Sequence, residues 1–248
     1  MVSYDKKSTT FSSNGDFWYC LAVSAATPPN MTNEELFAKA QKHMEGPENT
    51  DIRSIVTLTK KDTRIRWNKE GNKVELVAFV EGTTKFPSKG RTILSSNIWS
   101  FSEKEVEDWY AANKNRMGTD KRMRLLQLTG LSPKAKENRF VIFLVDPIDV
   151  MRPANVTDPK IDRMEARRPT TGVQSHSENN TFNIKQIQLD PTKHRRAERV
   201  ATRLGYSYDW GLINGQYGLT EFMVAPFVEV TVLGSYSWQE YLTKLGNK

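Results

Sequence analysis

The stretch NRFVIFLVDP, residues 138–147, is the most apolar run in the chain. It is short, rich in β-branched and aromatic residues, and closed by an Asp-Pro pair that marks a turn. A strand with one face in water alternates apolar and polar residues, whereas this run is apolar at successive positions. The sequence therefore predicts a central strand that is buried on both faces.

Further strands are predicted on either side of this run. Residues 63–67 (TRIRW) and 73–82 (KVELVAFVEG) flank the turn-rich connection NKEGN, which predicts a hairpin. Residues 219–235 predict one strand, a break at Pro226 and then an alternating strand. Other strands are predicted at 16–23, 52–59 and 91–101.

Helices are predicted from their N-terminal signals. Three segments carry a capping box, in which a Ser or Thr and a Glu three residues later satisfy each other's backbone N–H groups. These pairs are Thr32–Glu35, Ser102–Glu105 and Ser237–Glu240, for helices over 30–46, 100–114 and 237–246. Two more helices are predicted, over 119–133 (capped by Thr119, ended by Gly130) and over 190–205 (capped by Asp190, with Pro191 next).

Segments of these types alternate along the chain and predict a single α+β domain over residues 1–248. We expect a mixed sheet with several short capped helices. Residues 1–90 are predicted to form mainly strands plus one helix, and residues 100–248 a mixture of both. A polar, basic excursion is expected at about 160–195.

Composition excludes several classes of protein. The chain has 248 residues, of which 38% are hydrophobic and 26% charged, as in soluble globular proteins. No run approaches the roughly 18 apolar residues of a membrane span, and the N-terminal residues have no apolar core of a signal peptide. The single cysteine, Cys20, rules out an intrachain disulfide.

The net charge of +7 is concentrated in one region. Residues 160–203 hold ten Lys and Arg against five Asp and Glu, an excess of five. Such a segment can bind an anionic partner such as a nucleic acid, lipopolysaccharide or acidic glycan. Because the basic residues alternate with acids, we favour a solvated polar segment and do not expect nucleic acid as the partner.

No metal site or cofactor is expected. The three histidines, His43, His176 and His194, lie far apart in sequence and lack ligand-like spacing. The glycine-rich phosphate loops of dinucleotide- and nucleotide-binding proteins are also missing.

Residues 146–159, DPIDVMRPANVTDP, are a candidate ligand-binding segment. Asp146, Asp149 and Arg152 follow the end of the buried strand, where ligands meet side chains in α/β architectures. The alternative is a capped single turn, in which Asp146 caps and Arg152 pairs with Asp149. The sequence favours the turn.

Glu221 is the second candidate, because it lies on a strand with apolar residues on both faces. A carboxylate there is either paired or raised in pKa. An Arg at one strand end, Arg152, and a Glu on a late strand resemble the arrangement in ADP-ribosyltransferases. That resemblance implies that Arg152 orients NAD and that Glu221 activates the acceptor. Leu219 stands where the family has a Glu or Gln, and its Ser-Thr-Ser strand is missing.

The stretch TRLGYSYDWG, residues 202–211, concentrates aromatic residues between two glycines. In an extended segment Tyr206, Tyr208 and Trp210 share one face, with Ser207 and Asp209 on the other. The aromatic face can stack a sugar or base, or it can fill the core. We favour the core, with Asp209 and Arg203 as the polar groups of interest.

Several segments together resemble a group of uncharacterised bacterial proteins, many of them exported. The segments are SSNIWSFSEKEVEDWY, RLLQLTGL, FVIFLVDPIDVMRP, TRLGYSYDWG and GLTEFMVAPFVEV, within residues 74–242. The resemblance implies a bacterial source, an extracytoplasmic location and a single fold, but no chemistry. Members of the group look cysteine-paired, whereas this chain has Ala154 at one of the positions concerned.

We therefore expect a binding or interaction module rather than an enzyme, located in the periplasm, in the cell envelope or outside the cell. Its partner would be a small molecule, a glycan or a protein. An ADP-ribosyltransferase-like enzyme and a nucleic-acid binder using residues 160–203 are the alternatives. The 146–158 turn and the aromatic corner are expected to lie close together. The predicted ligand-binding residues are Asp146, Asp149, Arg152, Tyr208 and Asp209, and the catalytic candidates are Arg152 and Glu221.

Overall fold

A computed structural model describes residues 31–44, 50–82, 86–166, 198–212 and 217–247 of the chain. These residues form a seven-stranded sheet, a two-stranded sheet and four α-helices, so the predicted α+β fold is confirmed. Neighbouring strands in this part of the chain are antiparallel throughout.

The helices and strands have the following bounds. The helices are α1 (Asn33–His43), α2 (Glu103–Asn113), α3 (Lys121–Leu128) and α4 (Trp238–Gly246). The first five strands are β1 (Val74–Glu81), β2 (Gly90–Ile93), β3 (Ile98–Ser102), β4 (Glu137–Val145) and β5 (Val150–Met151). The remaining strands are β6 (Tyr206–Tyr208), β7 (Tyr217–Thr220), β8 (Phe222–Val224) and β9 (Glu229–Ser237).

Strand β4, the apolar run at 138–147, is an inner strand as predicted. The large sheet has the order β2-β9-β4-β1-β3-β8-β5, and β6 pairs with β7 separately. Along β4, Phe140 and Ile142 pack in one core cluster, whereas Val141 and Phe143 pack in another. Because both clusters are buried, the strand needs apolar residues at successive positions.

Different elements cover the two faces of the sheet. Helices α2, α3 and α4 pack on the face of Phe140 through Val106, Leu126 and Leu242. The opposite core contains Val141 and Val224 with residues from the 56–67 segment, namely Val56, Leu58, Ile65 and Trp67.

The predicted helix caps are largely confirmed. Both sides of the capping box form at Thr32–Glu35 and at Ser237–Glu240. Ser102 caps α2, but the carboxylate of Glu105 turns away and accepts instead from the backbone N–H and hydroxyl of Thr220. Helix α3 is capped by Asp120 rather than the predicted Thr119, because α3 begins one residue further on. Gly130 has the predicted left-handed conformation (φ 68°).

The strands predicted at 52–59 and 63–67 are wrong. Residues 52–58 form no strand, and of residues 63–67 only Trp67 makes an isolated bridge, to Val74. The alternation arises because the segment lies on the sheet and buries Val56, Leu58 and Ile65 in its core. The hairpin connection itself is present, since the N–H of Asn68 donates to the carbonyl of Lys73 at 2.9 Å. The strand predicted at 91–101 is split into β2 and β3.

The helix predicted over 190–205 is wrong for its described part, residues 198–205. Arg199 bridges Leu131 and Ala201 bridges Ser207, so this segment adds irregular strand-like pairing. Arg203 and Gly205 have positive φ angles of 63° and 80°, which a right-handed helix does not allow. The capping signal at Asp190–Pro191 lies outside the described residues.

Some predictions fall where the structure gives no description. These are the strand at 16–23 with Cys20, the helix end at Gly46–Pro47, and residues 167–197 of the basic segment with His176 and His194. In the described part of the chain, no helix is long and apolar enough to cross a membrane.

Candidate functional site

The Asp146 segment forms the capped turn that the sequence favoured. Asp146 follows β4, and its carboxylate accepts the N–H of Ile148 at 3.1 Å, which begins a 3-10 turn over Pro147–Asp149. Burial raises the pKa of Asp149, and the neighbouring Asp146 raises it further. The rule that ligands bind beyond the carboxyl ends of strands applies to parallel sheets, and the strands here are antiparallel.

Arg152 is fully buried, and the predicted pair with Asp149 is wrong. Its guanidinium carbon lies 5.0 Å from the centre of the Phe222 ring. Burial lowers the pKa of Arg152 to about 9. The Nη2 group donates to the backbone carbonyls of Val56, Pro159 and Ile161. The side chain of Arg152 therefore joins two separate segments of the chain inside the protein. Within the described residues, its Nε and Nη1 atoms are buried without a hydrogen-bond partner.

Glu221 is buried and paired. It lies between β7 and β8, and its Oε1 accepts from Nη1 of Arg199 at 3.1 Å. The guanidinium carbon of Arg199 lies 4.1 Å from the centre of the Trp99 ring. Burial raises the pKa of Glu221 to about 7, although Arg199 acts in the opposite direction. The sequence predicted either a partner or a raised pKa, and the structure has both.

The aromatic corner fills the core, as the sequence favoured. Tyr206, Tyr208 and Trp210 are all buried, and the indole N–H of Trp210 donates to the carbonyl of Leu131 at 2.8 Å. Burial raises the pKa of Tyr208 to about 12, and its hydroxyl lies 3.0 Å from Nδ1 of His43.

The buried carboxylate of the corner, Asp209, makes a two-pronged ion pair with Arg124 of α3. The two N···O distances are 2.8 and 2.6 Å. Burial raises the pKa of Asp209, while Arg124 counteracts this effect. The guanidinium carbon of Arg124 also lies 5.1 Å from the centre of the Trp109 ring. The pair therefore binds α3 to the corner and leaves no charge uncompensated.

The catalytic candidates Arg152 and Glu221 come near each other but lie on opposite faces of β8. Arg152 contacts Phe222, whereas the partner of Glu221 contacts Trp99, which pairs across strands with Met223. Phe222 and Met223 are successive residues of one strand, so their side chains point to opposite faces. A single ligand between Arg152 and Glu221 would therefore have to pass through the strand.

The 146–158 turn and the aromatic corner are neighbours, as predicted. The N–H of Asn155 donates to the carbonyl of Arg203 at 2.9 Å, and Ala154 and Val156 pack on the cluster that contains Tyr206. This contact is structural, because the polar groups of both segments are directed to other partners.

A different region combines the properties of a binding surface. Three large apolar side chains are exposed on segments that are hydrogen bonded to one another: Phe227 (80% exposed), Ile93 (66%) and Ile148 (56%). The N–H of Phe227 donates to the carbonyl of Leu94, and the N–H of Ala225 donates to that of Asp149. Ile93 and Phe227 thus lie next to each other at one end of the strands, whereas Ile148 precedes β5, at the opposite edge of the sheet from β2. We call Ile93 and Phe227, together with the edge strand β2, the β2-edge surface.

Phe227 has an unusual backbone conformation for an aromatic residue. Its φ angle is 65°, in the left-handed region that favours glycine and asparagine. It follows Pro226 in the turn between β8 and β9. That conformation costs about 1–2 kcal/mol for a residue with a Cβ atom. Neither the strain nor the exposed ring stabilises the fold, and sites of this kind cluster where proteins bind partners.

Sequence reasoning missed this surface. Pro226 by itself predicts only a break between strands. A Pro followed by a bulky residue, at the turn position where glycine is usual, is a signal that could have drawn attention to Phe227.

Among the described residues, no three His, Cys, Asp or Glu side chains are grouped so as to hold a metal ion. Comparison with known proteins gives no match: no family model, no curated protein and no solved structure is similar to the chain.

Proposed function

We propose that the protein is an interaction module whose β2-edge surface binds an extended segment of a partner polypeptide. The observation that carries this proposal is Phe227, an aromatic side chain that is held out in water by a strained backbone. The extracytoplasmic location inferred from the resemblance to exported bacterial proteins is part of the same proposal.

An extended partner is suggested by the strand beside Phe227. Strand β2 is at the end of the sheet order, and within the described residues β9 is its only strand neighbour. The outer edge of β2 therefore offers backbone N–H and carbonyl groups to an added strand. The alternate side chains of such a strand would reach the exposed Ile93 and Phe227, so backbone bonding and apolar contact would act together.

Charge favours a foreign, acidic segment over a second copy of this chain. Lys89 and Arg91 are exposed on and next to β2. The nearest acidic partner of Arg91 is Glu229, at 4.0 Å and half-exposed, so the pair is weak. Two copies paired through β2 would bring four basic side chains together, which is unfavourable. The β2-edge surface is complemented by a partner segment in which apolar residues alternate with polar ones and an acidic residue lies near Arg91.

The proposal is tested by selecting random peptides on the immobilised protein and measuring their affinity for purified variants. We expect peptides with alternating apolar residues and at least one acid, and we expect Phe227→Gly to weaken their binding about tenfold or more. Methylation of alternate peptide nitrogens should abolish binding, because it removes strand hydrogen bonds.

The matched control is Tyr236→Phe, a conservative change on the far part of β9 that should leave affinity unchanged. Peptides that bind Phe227→Gly as well as the parent protein would refute the site. Peptides that tolerate methylation at every position would refute strand addition.

The two other functions predicted from the sequence remain predictions. An ADP-ribosyltransferase would need Arg152 to reach NAD, and its guanidinium is fully buried and bound to backbone carbonyls. Nucleic-acid binding depends on residues 160–203, most of which lie outside the described residues. Retention of DNA or RNA in a filter assay at low salt, falling steeply as salt is added, would favour that alternative.

A further inference from the structure

Arg53 is placed unlike any other half-buried arginine in the described part of the chain. Six others are half-buried, and each donates a hydrogen bond to a protein acceptor: Arg64, Arg66, Arg122, Arg139, Arg199 and Arg203. Among the described residues Arg53 has no hydrogen bond or ion pair, and none of its nitrogens is a buried atom without a partner. Within this part of the chain, the hydrogen-bonding edge of its guanidinium is therefore open to solvent.

Two tyrosine rings hold this guanidinium. Its central carbon lies 4.4 Å from the centre of the Tyr217 ring and 5.8 Å from that of Tyr206. The two rings contact each other edge to face, with their centres 5.3 Å apart. Tyr206 is buried, whereas Tyr217 is 40% exposed, so the site has a rigid inner wall and an accessible outer one. Ile52, the neighbour of Arg53, is also exposed.

The fold fixes both the arginine and the rings. The hydroxyl of Tyr206 donates to the carbonyl of Asp51 at 2.7 Å, and the N–H of Val56 donates to the hydroxyl of Thr220 at 3.0 Å. These two bonds tie the segment that carries Arg53 to β6 and β7. The site therefore exists before any ligand arrives, which lowers the entropic cost of binding.

The charge of Arg53 is not taken up by the carboxylate of Glu105. Glu105 attracts Arg53 electrostatically, but both of its oxygens accept from Thr220. Glu105 thus attracts the guanidinium of Arg53 without accepting a hydrogen bond from it. A planar cation with an open edge binds phosphate or carboxylate through paired hydrogen bonds, and an exposed tyrosine beside it can stack a flat ring.

We propose that Arg53, Tyr206 and Tyr217 form a binding site for a small molecule that carries a phosphate or carboxylate on a flat ring. The anionic group accepts from the open edge of Arg53, and the ring packs on the exposed face of Tyr217. This site shares no residue with the β2-edge surface and does not depend on it.

The test is an NMR titration of the ¹⁵N-labelled protein with phenyl phosphate, benzoate, inorganic phosphate and phenol, each to about 10 mM. Phenyl phosphate or benzoate should give saturable shifts at Arg53 and Tyr217, with an affinity at least about tenfold above that of phosphate or phenol. The better of the two ring-bearing anions identifies which anionic group the site prefers.

Three variants locate the binding. Arg53→Gln should weaken the binding of phenyl phosphate and benzoate about tenfold or more. Tyr217→Ala should weaken the binding of these ring-bearing anions but not that of inorganic phosphate. Arg116→Gln, which removes an exposed arginine elsewhere, should change nothing. The absence of saturable shifts with both ring-bearing anions, or equal binding to Arg53→Gln, would overturn the proposal. Equal unfolding midpoints of the variants and the parent establish that a loss of binding is not a loss of fold.

Discussion

Replacing Phe227 with glycine should leave stability nearly unchanged, although truncation of a large aromatic residue in a core usually costs about 3–5 kcal/mol. Phe227 is 80% exposed, so about one fifth of its surface is buried. For an aromatic side chain this is about 30–50 Å², worth about 1 kcal/mol at about 25 cal/mol per Å².

Two backbone effects of that substitution oppose each other. Glycine relieves about 1–2 kcal/mol of left-handed strain at φ 65°. It also increases the conformational entropy of the unfolded chain, which costs about 0.5–1 kcal/mol. Together with the lost contact, the expected change in the free energy of unfolding is zero to within about 1 kcal/mol. Phe227→Ala keeps the strain and loses the contact, so it should be less stable than Phe227→Gly by about 0.5–1 kcal/mol.

Urea denaturation followed by tryptophan fluorescence measures these differences. Phe222→Ala is the matched control, because Phe222 lies five residues earlier and is fully buried; it should lose about 3–5 kcal/mol. A loss above about 2 kcal/mol for Phe227→Gly would mean that the ring is packed in the native protein. The reasoning that makes Phe227 a binding residue would then fail.

Three further changes test the rest of the structure. Trp210→Ala should cost about 3–5 kcal/mol, because the indole is buried and bonded to the carbonyl of Leu131; an unchanged denaturation midpoint would mean that it is not part of the core. Asp209→Ala should cost about 3–5 kcal/mol, since it leaves the Arg124 guanidinium buried without its carboxylate. By contrast, Asp108→Ala in the exposed pair with Lys104 should cost less than about 0.5 kcal/mol, and a similar loss for both would contradict the buried-pair argument. Burial raises the pKa of Glu221 from an ordinary 4.5 to about 7, so between these pH values the folded protein holds a proton that the unfolded chain releases. Glu221 should therefore make stability fall by on the order of 3 kcal/mol as pH rises from about 4.5 to about 7, and the fall should be smaller by that amount in Glu221→Gln; equal slopes for parent and variant in denaturation curves across this range would refute the raised pKa.

Local signals in the sequence predicted much of the fold. The apolar run at 138–147 predicted an inner strand because only a strand covered on both faces needs successive apolar residues, and the structure has helices on one face of it and the 56–67 segment on the other. The two complete capping boxes form from contacts within four residues each, and no distant group takes their glutamates, whereas Thr220 draws the carboxylate of Glu105 away from the third box.

Predictions failed where distant contacts decide the structure. Residues 52–58 have strand-like composition but lie across the sheet, and their pairing partners could not be known from the segment alone. Asp149 was the nearest acid to Arg152 in sequence, yet the guanidinium bonds to the carbonyls of Val56, Pro159 and Ile161. The partner of Glu221, Arg199, is brought close by a segment that was predicted as helix. The exposure of Phe227 and Arg53 arises only in the folded chain, and the Pro226–Phe227 pair is the one local signal of either surface.

Hydrogen–deuterium exchange on the protein with a selected peptide bound tests the central proposal most directly. If the peptide adds a strand beside β2, the amides of Gly90–Ile93 should exchange more slowly, and those of the 225–228 turn should be protected with them. At a peptide concentration near the Kd of the parent protein, the same peptide should give much less protection in Phe227→Gly. Protection that appears elsewhere in the protein and leaves β2 and the 225–228 turn unchanged would contradict the proposal.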